Sequence, residues 1–388
     1  MTSTSTSPAT GTDSPTSGAA LRTLWLGTYP DGGEPGGAEG VWRLPVDAST
    51  GELGEPVLAA LSPAPSFVAL DPSGTRLYAV AEVEQGTVSG FAIRPDGGLE
   101  PLGTVPSGGA GPCHLLAVDD AVWVANYGDG TFAVLPVDAS GAPTSALRLH
   151  HRGTGPDAER QEGPHAHFVG AVAGRPVVVD LGTDELRAYP RSTDELRDLA
   201  DHPAPARVVA TFPGGAGPRH FAVLPGAHGA PAALFVATEL DARVYVLVPS
   251  GDGTFAVATS VPATAAPLPD SGRNYPSHVA LSADGSRLFV AIRGADVLST
   301  FAVVQDATGP DGAAPVLEHL SDTPLGGAWP RHFAVLAPAG QAAPEADLVV
   351  VANQNSSNLT VLRVDRTDGA GTLVDELEIP VPACVVEA

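Results

Sequence analysis

Histidines that could transfer a proton lie beside one recurring proline. Six of the eleven histidines are within three residues of such a proline, and these are His114, His165, His167, His220, His278 and His332. Because histidine titrates near neutral pH, each could act as a general acid or base. The structural alternative is that the repeat copies a histidine that hydrogen-bonds to the neighbouring unit, and it applies most to His114, His278 and His332.

The pair formed by His165 and His167 differs from the other histidines. One residue separates them in an extended segment, so their side chains project to the same face. Half of a metal site could have this form, but no acidic or histidine partners stand at matching positions. We therefore predict no metal and no other cofactor, and we expect general acid–base chemistry or hydrogen bonds to a substrate.

Arginine is the second candidate group. Arg219 and Arg331 directly follow recurring prolines, and Arg293 begins a polar segment. All 20 residues of the Lys+Arg total are arginine, so a bound anion must be held by arginine, histidine or backbone amides. A planar guanidinium suits the paired oxygens of phosphate or carboxylate. Glu239 lies in the polar segment of the same unit as Arg219, so the two could share a site or form a plain ion pair.

The elements that must position these residues recur about every 50 residues. The prolines are Pro65, Pro112, Pro164, Pro218, Pro276 and Pro330, at intervals of 47, 52, 54, 58 and 54 residues. After each proline come a short apolar run, a turn, a run rich in β-branched and aromatic residues, a polar tip and a third, alternating run. Three or four short strands at this period are typical of one blade of a β-propeller.

The two ends of the chain supply the last blade. Residues 24–29 resemble a second strand that lacks a first, and residues 382–387 resemble a first strand that lacks a second. We therefore predict an all-β fold, a seven-bladed β-propeller whose ring is closed when the C-terminal strand joins the N-terminal blade. Closure removes free sheet edges. The recurring prolines and the polar tips should then converge on one mouth of the central channel.

Composition limits the partners of the protein. The chain has 388 residues, is 43% hydrophobic and carries a net charge of −24, which argues against nucleic acid or an anionic membrane as a partner. Residues 1–20 are predicted to be a disordered tail without features of a secretory signal, and residues 21–388 a single domain. We expect a cytoplasmic monomer that acts on a small molecule. Cys113 and Cys384 are expected to be free thiols.

Several motifs in order resemble the seven-bladed propeller lactonase family, whose members include bacterial 6-phosphogluconolactonases and fungal 3-carboxy-cis,cis-muconate lactonizing enzymes. The matching stretches are Gly27-Thr28-Tyr29, Ala125-Asn126-Tyr127-Gly128, Gly163-Pro164-His165-Ala166-His167, Asp180-Leu181-Gly182-Thr183-Asp184, Gly217-Pro218-Arg219-His220, Ser282-Ala283-Asp284-Gly285 and Ala352-Asn353-Gln354-Asn355-Ser356. The resemblance covers residues 24–387. Two departures are Ile292-Arg293-Gly294, where the family usually has Asn-Arg-Gly, and Asn274-Tyr275 at a strand entry.

The resemblance implies a catalytic site at the channel mouth. Its residues would be His167 (or His165), Arg219, Glu239 and Arg293. As substrate contacts we expect His165, His220, Arg331, Asn126 and Gln354. The implied reaction is hydrolysis of a lactone, with 6-phosphogluconolactone of the oxidative pentose phosphate pathway as the expected substrate. A base, His167 or Glu239, would activate water, and Arg219 or Arg293 would stabilise the oxyanion. A remaining arginine, Arg331 or Arg293, would hold the phosphate. The alternatives are cyclisation of a muconate-type diacid and a propeller that binds without turnover.

Overall fold

The computed structural model describes residues 21–30, 39–201, 206–270, 272–305, 314–336 and 345–388. These residues form seven four-stranded antiparallel sheets, and the inner strand of each sheet contacts the inner strand of the next around a closed ring. The predicted seven-bladed β-propeller is therefore confirmed. The predicted tail, residues 1–20, lies outside the described residues.

The blades follow one another along the chain. Blade 1 contains β1 (Leu21–Thr28), β2 (Gly40–Asp47) and β3 (Val57–Leu61); blade 2 contains β4 (Val68–Leu70), β5 (Arg76–Ala81), β6 (Thr87–Ile93) and β7 (Leu99–Pro106); blade 3 contains β8 (Pro112–Ala117), β9 (Ala121–Asn126), β10 (Phe132–Pro136) and β11 (Leu147–Leu149); blade 4 contains β12 (Ala166–Val172), β13 (Arg175–Asp180), β14 (Glu185–Ala188) and β15 (Arg207–Thr211). Blade 5 contains β16 (Pro218–Pro225), β17 (Pro231–Thr238), β18 (Arg243–Pro249) and β19 (Phe255–Pro262); blade 6 contains β20 (Tyr275–Leu281), β21 (Arg287–Arg293), β22 (Val297–Val304) and β23 (Val316–Pro324); blade 7 contains β24 (Pro330–Val335), β25 (Ala346–Asn353), β26 (Asn358–Asp365) and β27 (Gly371–Glu378).

The C-terminal strand β28 (Pro382–Glu387) completes blade 1. It pairs antiparallel with β1, with Leu24 opposite Glu387 and Leu26 opposite Val385. Leu24, Leu26 and Val385 are fully buried in a cluster shared with blade 7. The closure predicted from the two ends of the chain is thus confirmed.

The core lies between neighbouring blades. Second strands such as β9 and β21 are buried along their whole length, because each is covered on both faces by adjacent blades. This explains why they read as continuous apolar runs rather than alternating ones. The outermost strands β19 and β27 are mostly exposed or half-buried. Phe235 and Phe289 are fully buried, and burial of such a side chain contributes roughly 1.5–3 kcal/mol.

One short helix interrupts the all-β pattern. Helix α1 (Thr193–Asp201) lies in the connection between β14 and β15, and a 3₁₀ turn spans Ala227–Gly229. The hydroxyl of Ser192 accepts a hydrogen bond from the Glu195 amide at 3.3 Å, as expected for an N-cap. No helix within the described ranges is long and apolar enough to cross a lipid bilayer.

Candidate active site

A β-bulge near the start of the inner strand sets one side chain apart in six of the seven blades. In blade 5, Pro218 pairs with Thr238 and His220 pairs with Ala237, so Arg219 has no partner in the ladder. An extra residue of this kind re-aims its side chain. The residues at this bulge position are Cys113, His167, Arg219, Ser277, Arg331 and Ala383. In blade 6 the ladder also leaves out His278.

The bulge corrects the alignment of blade 4 with the other repeats. The residue that pairs in the manner of Pro218 is Ala166, two positions after Pro164. His167 therefore matches Arg219, whereas His165 precedes the strand. A count of prolines could not show this difference, because blade 4 lacks the proline at the equivalent place.

The polar tips contribute a second set of side chains. Each second strand leads into one tip residue, which follows the strand in every blade except blade 6, where it is the last residue of the strand. In blades 1 to 7, in that order, these residues are Tyr29, Glu82, Tyr127, Leu181, Glu239, Arg293 and Gln354. Arg219 and Glu239 of blade 5, and Arg293 of blade 6, meet directly. The predicted convergence of strand entries and tips is therefore observed around Glu239.

Glu239 is bound by three guanidinium groups. Its Oε2 accepts hydrogen bonds from Arg219 Nε at 3.1 Å and Arg293 Nη2 at 2.6 Å, and its Oε1 accepts one from Arg160 Nη2 at 2.7 Å. Burial opposes ionisation of Glu239, but the charges of Arg293, Arg219 and Arg160 outweigh it and hold the pKa of this carboxyl well below its usual value. Glu239 is therefore a carboxylate at neutral pH and a weak base.

Arg219 is fixed on two sides. In addition to its bond to Glu239, its Nη1 donates to the backbone carbonyl of Ser277 in blade 6. Burial, with the charge of Arg293, lowers the pKa of Arg219 to about 9. The guanidinium remains charged at neutral pH. Arg293 is also buried and lies 5.3 Å from the ring of Trp329, in range of a cation–π contact.

Arg160 belongs to the same cluster and was not found from the sequence. It lies in the connection between β11 and β12, and its Nη2 is also 3.2 Å from the hydroxyl of Tyr127. No repeat position marks it. The available signal was the length of this connection, residues 150–165, because long loops in compact domains are often functional.

His167 and His165 have different surroundings. Nδ1 of His167 lies 3.9 Å from the sulfur of Cys113, and burial together with Arg219 lowers the pKa of His167 well below its usual value, so the imidazole is neutral. His165 stacks on Tyr127 at 4.5 Å. Its Nδ1 lies 2.8 Å from the Tyr127 carbonyl and its Nε2 lies 3.1 Å from Glu162 Oε1, so both nitrogens face acceptors.

His220 lies in an aromatic belt, and its ring centroid is also 5.4 Å from that of His167. The belt contains Phe67, His114, Phe168, His220, His278 and His332, with adjacent ring centroids 3.9–5.2 Å apart. His220 Nδ1 is 2.9 Å from His278 Nδ1, and His114 Nδ1 accepts a hydrogen bond from the Val169 amide of the next blade. Burial lowers the pKa of all four histidines. These contacts match the structural alternative proposed for repeated histidines.

The remaining predicted substrate contacts occupy three settings. Arg331 lies 4.9 Å from the ring of Tyr29 and 3.6 Å from Glu82 Oε2, a carboxylate that also accepts a bond from the Tyr29 hydroxyl. Gln354 occupies the tip of blade 7, with its side-chain oxygen buried and without a partner among the described residues. Asn126 is fully buried, and its side chain bonds to the Thr131 carbonyl of its own turn and to the hydroxyl of Ser107.

The charged side chains around Glu239 and Arg331 carry a net positive charge, whereas the whole chain is negative. Four arginines (Arg160, Arg219, Arg293 and Arg331) face two carboxylates, Glu82 and Glu239, which leaves two positive charges in excess. The whole chain carries −24. Within the described ranges no group of three or more His, Cys, Asp or Glu residues could hold a metal ion. The two positive charges in excess suit an anionic ligand.

The closed seven-bladed ring, with a neutral histidine and a buried arginine–glutamate cluster, defines a β-propeller with a charged site at its strand entries. Comparison with known families then identifies the chain: it belongs to the seven-bladed β-propeller lactonase family, whose model matches residues 23–387. The protein is thus a lactonase, a hydrolase of cyclic carboxylic esters.

Individual relatives agree with this family. A 6-phosphogluconolactonase of Bacillus subtilis is 32% identical over 372 residues, which cover 93% of this chain and 97% of the relative. A Lactobacillus plantarum protein of known structure has 27% identity and a TM-score of 0.78 over 95% of this chain and 99% of its own. The structure of a periplasmic gluconolactonase of Pseudomonas aeruginosa has 25% identity and a TM-score of 0.77, with coverage of 95% and 99%.

Proposed function

We propose that the protein hydrolyses a phosphorylated sugar lactone, 6-phosphogluconolactone, to the open-chain acid. The observation that carries this proposal is the Glu239 cluster, in which three arginines converge on one carboxylate beside a neutral His167. The names of the relatives support a sugar lactone, and the excess positive charge supports a phosphorylated one. The product is then 6-phosphogluconate, and we retain the prediction that this occurs in the oxidative pentose phosphate pathway of the cytoplasm.

His167 is the group to which we assign the proton transfer. Both carboxylate oxygens of Glu239 accept hydrogen bonds from guanidinium groups, and both ring nitrogens of His165 are directed at acceptors. His167 Nε2 takes a proton from water as the water oxygen bonds to the ring carbonyl carbon. When the tetrahedral intermediate collapses, the ring C–O bond breaks and the imidazolium returns the proton to the leaving alkoxide oxygen.

Arg219 is the group to which we assign the oxyanion. Its Nε and Nη1 are used by Glu239 and the Ser277 carbonyl, and the described residues supply no acceptor for its Nη2. A buried donor that is already fixed in place loses little orientational freedom when negative charge develops on the carbonyl oxygen. Glu239 then serves to hold Arg219 and Arg293 in position. Cys113 is not assigned as a nucleophile, because burial strongly raises the pKa of its thiol.

The test compares three reactions with the same purified protein. We expect hydrolysis of 6-phosphogluconolactone well above its spontaneous rate, and slower hydrolysis of unphosphorylated gluconolactone. The third reaction is cyclisation of a carboxymuconate, which requires proton transfer to carbon. Turnover of carboxymuconate without lactone hydrolysis would replace the proposal by the reverse ring chemistry. No turnover of any substrate at stoichiometric protein would favour a binding scaffold.

A further inference from the structure

The connection that carries Arg160 is not part of the propeller repeat. It spans residues 150–165, whereas the connections that lead into the inner strands of blades 3, 5 and 7 span only residues 107–111, 212–217 and 325–329. The connection into blade 6, between Pro262 and Tyr275, is intermediate in length. Closure of the blades does not require the additional length. A long segment at the entrance of a site is a common place for residues that select the substrate.

The residue next to Arg160 anchors this segment. Gln161 is fully buried, and its Nε2 donates to the backbone carbonyl of Leu181 at 2.8 Å. Its Oε1 accepts a hydrogen bond from the Asp157 amide at 3.2 Å, and its carbonyl accepts one from Gly155 at 2.9 Å. The backbone at Arg160 is therefore held in place, and the freedom that remains belongs to the side chain.

Arg160 is the accessible guanidinium of the cluster. Its side chain is 35% exposed, whereas those of Arg219 and Arg293 are 2% and 7% exposed. Glu239 carries one negative charge and is already bound by the other two arginines. Arg160 therefore adds positive charge that Glu239 cannot balance, and the three arginines and Glu239 together carry two positive charges in excess. The mostly exposed carboxylate of Glu162 also interacts with the charge of Arg160, but it pairs with His165.

The other arginines are less suited to receive an incoming anion. Arg293 is buried against Trp329 and donates to Glu239. Arg331 faces the carboxylate of Glu82, so that pair is neutral overall. A phosphate monoester carries between one and two negative charges near neutral pH, which matches the excess at the Glu239 cluster.

We propose that Arg160 is a substrate-binding residue whose guanidinium binds the phosphate group of a phosphorylated lactone. The phosphate displaces Glu239 Oε1 from the Arg160 guanidinium. The inference rests on the proposed function and names the residue that makes the site selective for phosphorylated substrates. The guanidinium presents two parallel N–H groups to two phosphate oxygens, a geometry that lysine does not reproduce. Arg219 and Arg293 continue to hold Glu239 when Arg160 changes partner.

The test measures kcat/KM for 6-phosphogluconolactone and for unphosphorylated gluconolactone in the wild type, Arg160→Ala and Arg160→Lys. Arg152→Ala is the matched control, because Arg152 is an exposed arginine in the same connection and its removal changes the net charge equally. We expect Arg160→Ala to lose about 10- to 100-fold on the phosphorylated lactone, the range for loss of a charge-assisted hydrogen bond, and less than about threefold on the other. Arg160→Lys should lie between, and Arg152→Ala should match the wild type. Equal losses on both substrates, or none, would overturn the inference.

Product binding separates this inference from the proposed function. Calorimetry measures the Kd of 6-phosphogluconate and of gluconate for the same variants, and no turnover is needed. Wild-type protein should bind 6-phosphogluconate about tenfold or more tightly than Arg160→Ala does, even if neither lactone is hydrolysed. Equal affinities in folded proteins, with folding checked by Tm, would refute the role of Arg160 whatever the enzymatic result.

Discussion

Replacement of Arg219 by alanine separates catalysis from stability at the centre of the site. The change removes the bond to Glu239 Oε2 and the bond to the Ser277 carbonyl. Glu239 keeps its bonds to Arg293 and Arg160, so it is not left as an unpaired buried charge. The main loss of stability comes from the Ser277 carbonyl, which loses its donor. A buried acceptor without a donor lowers the free energy of unfolding by about 1–3 kcal/mol. Relief of the repulsion between Arg219 and Arg293 offsets some of this cost.

The effect on the reaction should be larger than the effect on folding. Removal of one oxyanion donor costs about 100- to 1,000-fold in kcat, or roughly 2.7–4 kcal/mol. Domains are typically stable by about 5–15 kcal/mol, so a loss of 1–3 kcal/mol leaves the variant folded. We therefore expect a folded protein with a modestly lowered Tm and a kcat reduced by about two orders of magnitude or more. The assay follows acid release from 6-phosphogluconolactone with a pH indicator, corrected for spontaneous hydrolysis.

Arg287 provides the matched control. It is buried, it begins β21, and its Nε bonds to Asp347 at 2.7 Å. Arg366 also pairs with Asp347, so the carboxylate keeps a partner after Arg287→Ala, as Glu239 does after Arg219→Ala. Arg293 ends the same strand, and six residues of strand place Arg287 about 20 Å from the site. Arg287→Ala should lower Tm and leave kcat unchanged. A loss below threefold in folded Arg219→Ala, or an equal loss in Arg287→Ala, would refute the catalytic role.

Three further predictions follow from pKa values, closure and burial. The pKa of His167 lies well below 6.5, so protonation should remove the base only in acid. We expect kcat/KM to be flat near pH 7 and to fall only below pH 6.5. A decrease in kcat/KM that begins above pH 6.5 would contradict the assignment of His167 as the base. Deletion of residues 380–388 removes β28 and should give insoluble protein, whereas an unchanged Tm would rule out closure as the source of stability. Burial strongly raises the pKa of Cys113, so the thiol of the native protein should resist alkylation at pH 7.5. The Cys113→Ser variant should keep most of the wild-type activity. Rapid alkylation of Cys113 in folded protein would show that the thiol is accessible.

The fold was predictable because each blade carries its own local signal. Fully buried second strands are continuous apolar runs, and their polar tips repeat at a nearly constant spacing. The N-terminal segment lacked a first strand and the C-terminal segment supplied one, so the two ends were expected to complete a single blade. In the structure β28 pairs with β1. Helix α1 was not predicted, because nine residues within a connection leave little periodic pattern.

The candidate site was predictable where its residues occupy repeat positions. Arg219, Glu239 and Arg293 were expected to lie together because strand entries and tips of neighbouring blades meet at one mouth, and they do. Arg160 could not be placed this way, since its position depends on how a non-repeating segment folds back over the site. Arg219 and His220 both lie close to Pro218, so proximity to a proline could not tell their surroundings apart. The bulge directs Arg219 to Glu239, whereas His220 faces the aromatic belt.

The two buried arginine clusters at opposite ends of β21 show how charge balance separates a structural role from a functional one. Among the residues that the structure describes, Arg287 and Arg366 face Asp284 and Asp347, so two cations meet two anions. At the other end, three arginines meet the single carboxylate of Glu239. Stability alone does not favour this excess, because replacement of a buried ion pair by apolar residues is often neutral or stabilising. An uncompensated charge held by rigid strands is useful only when a further anion arrives, and a phosphate or a developing oxyanion meets that need.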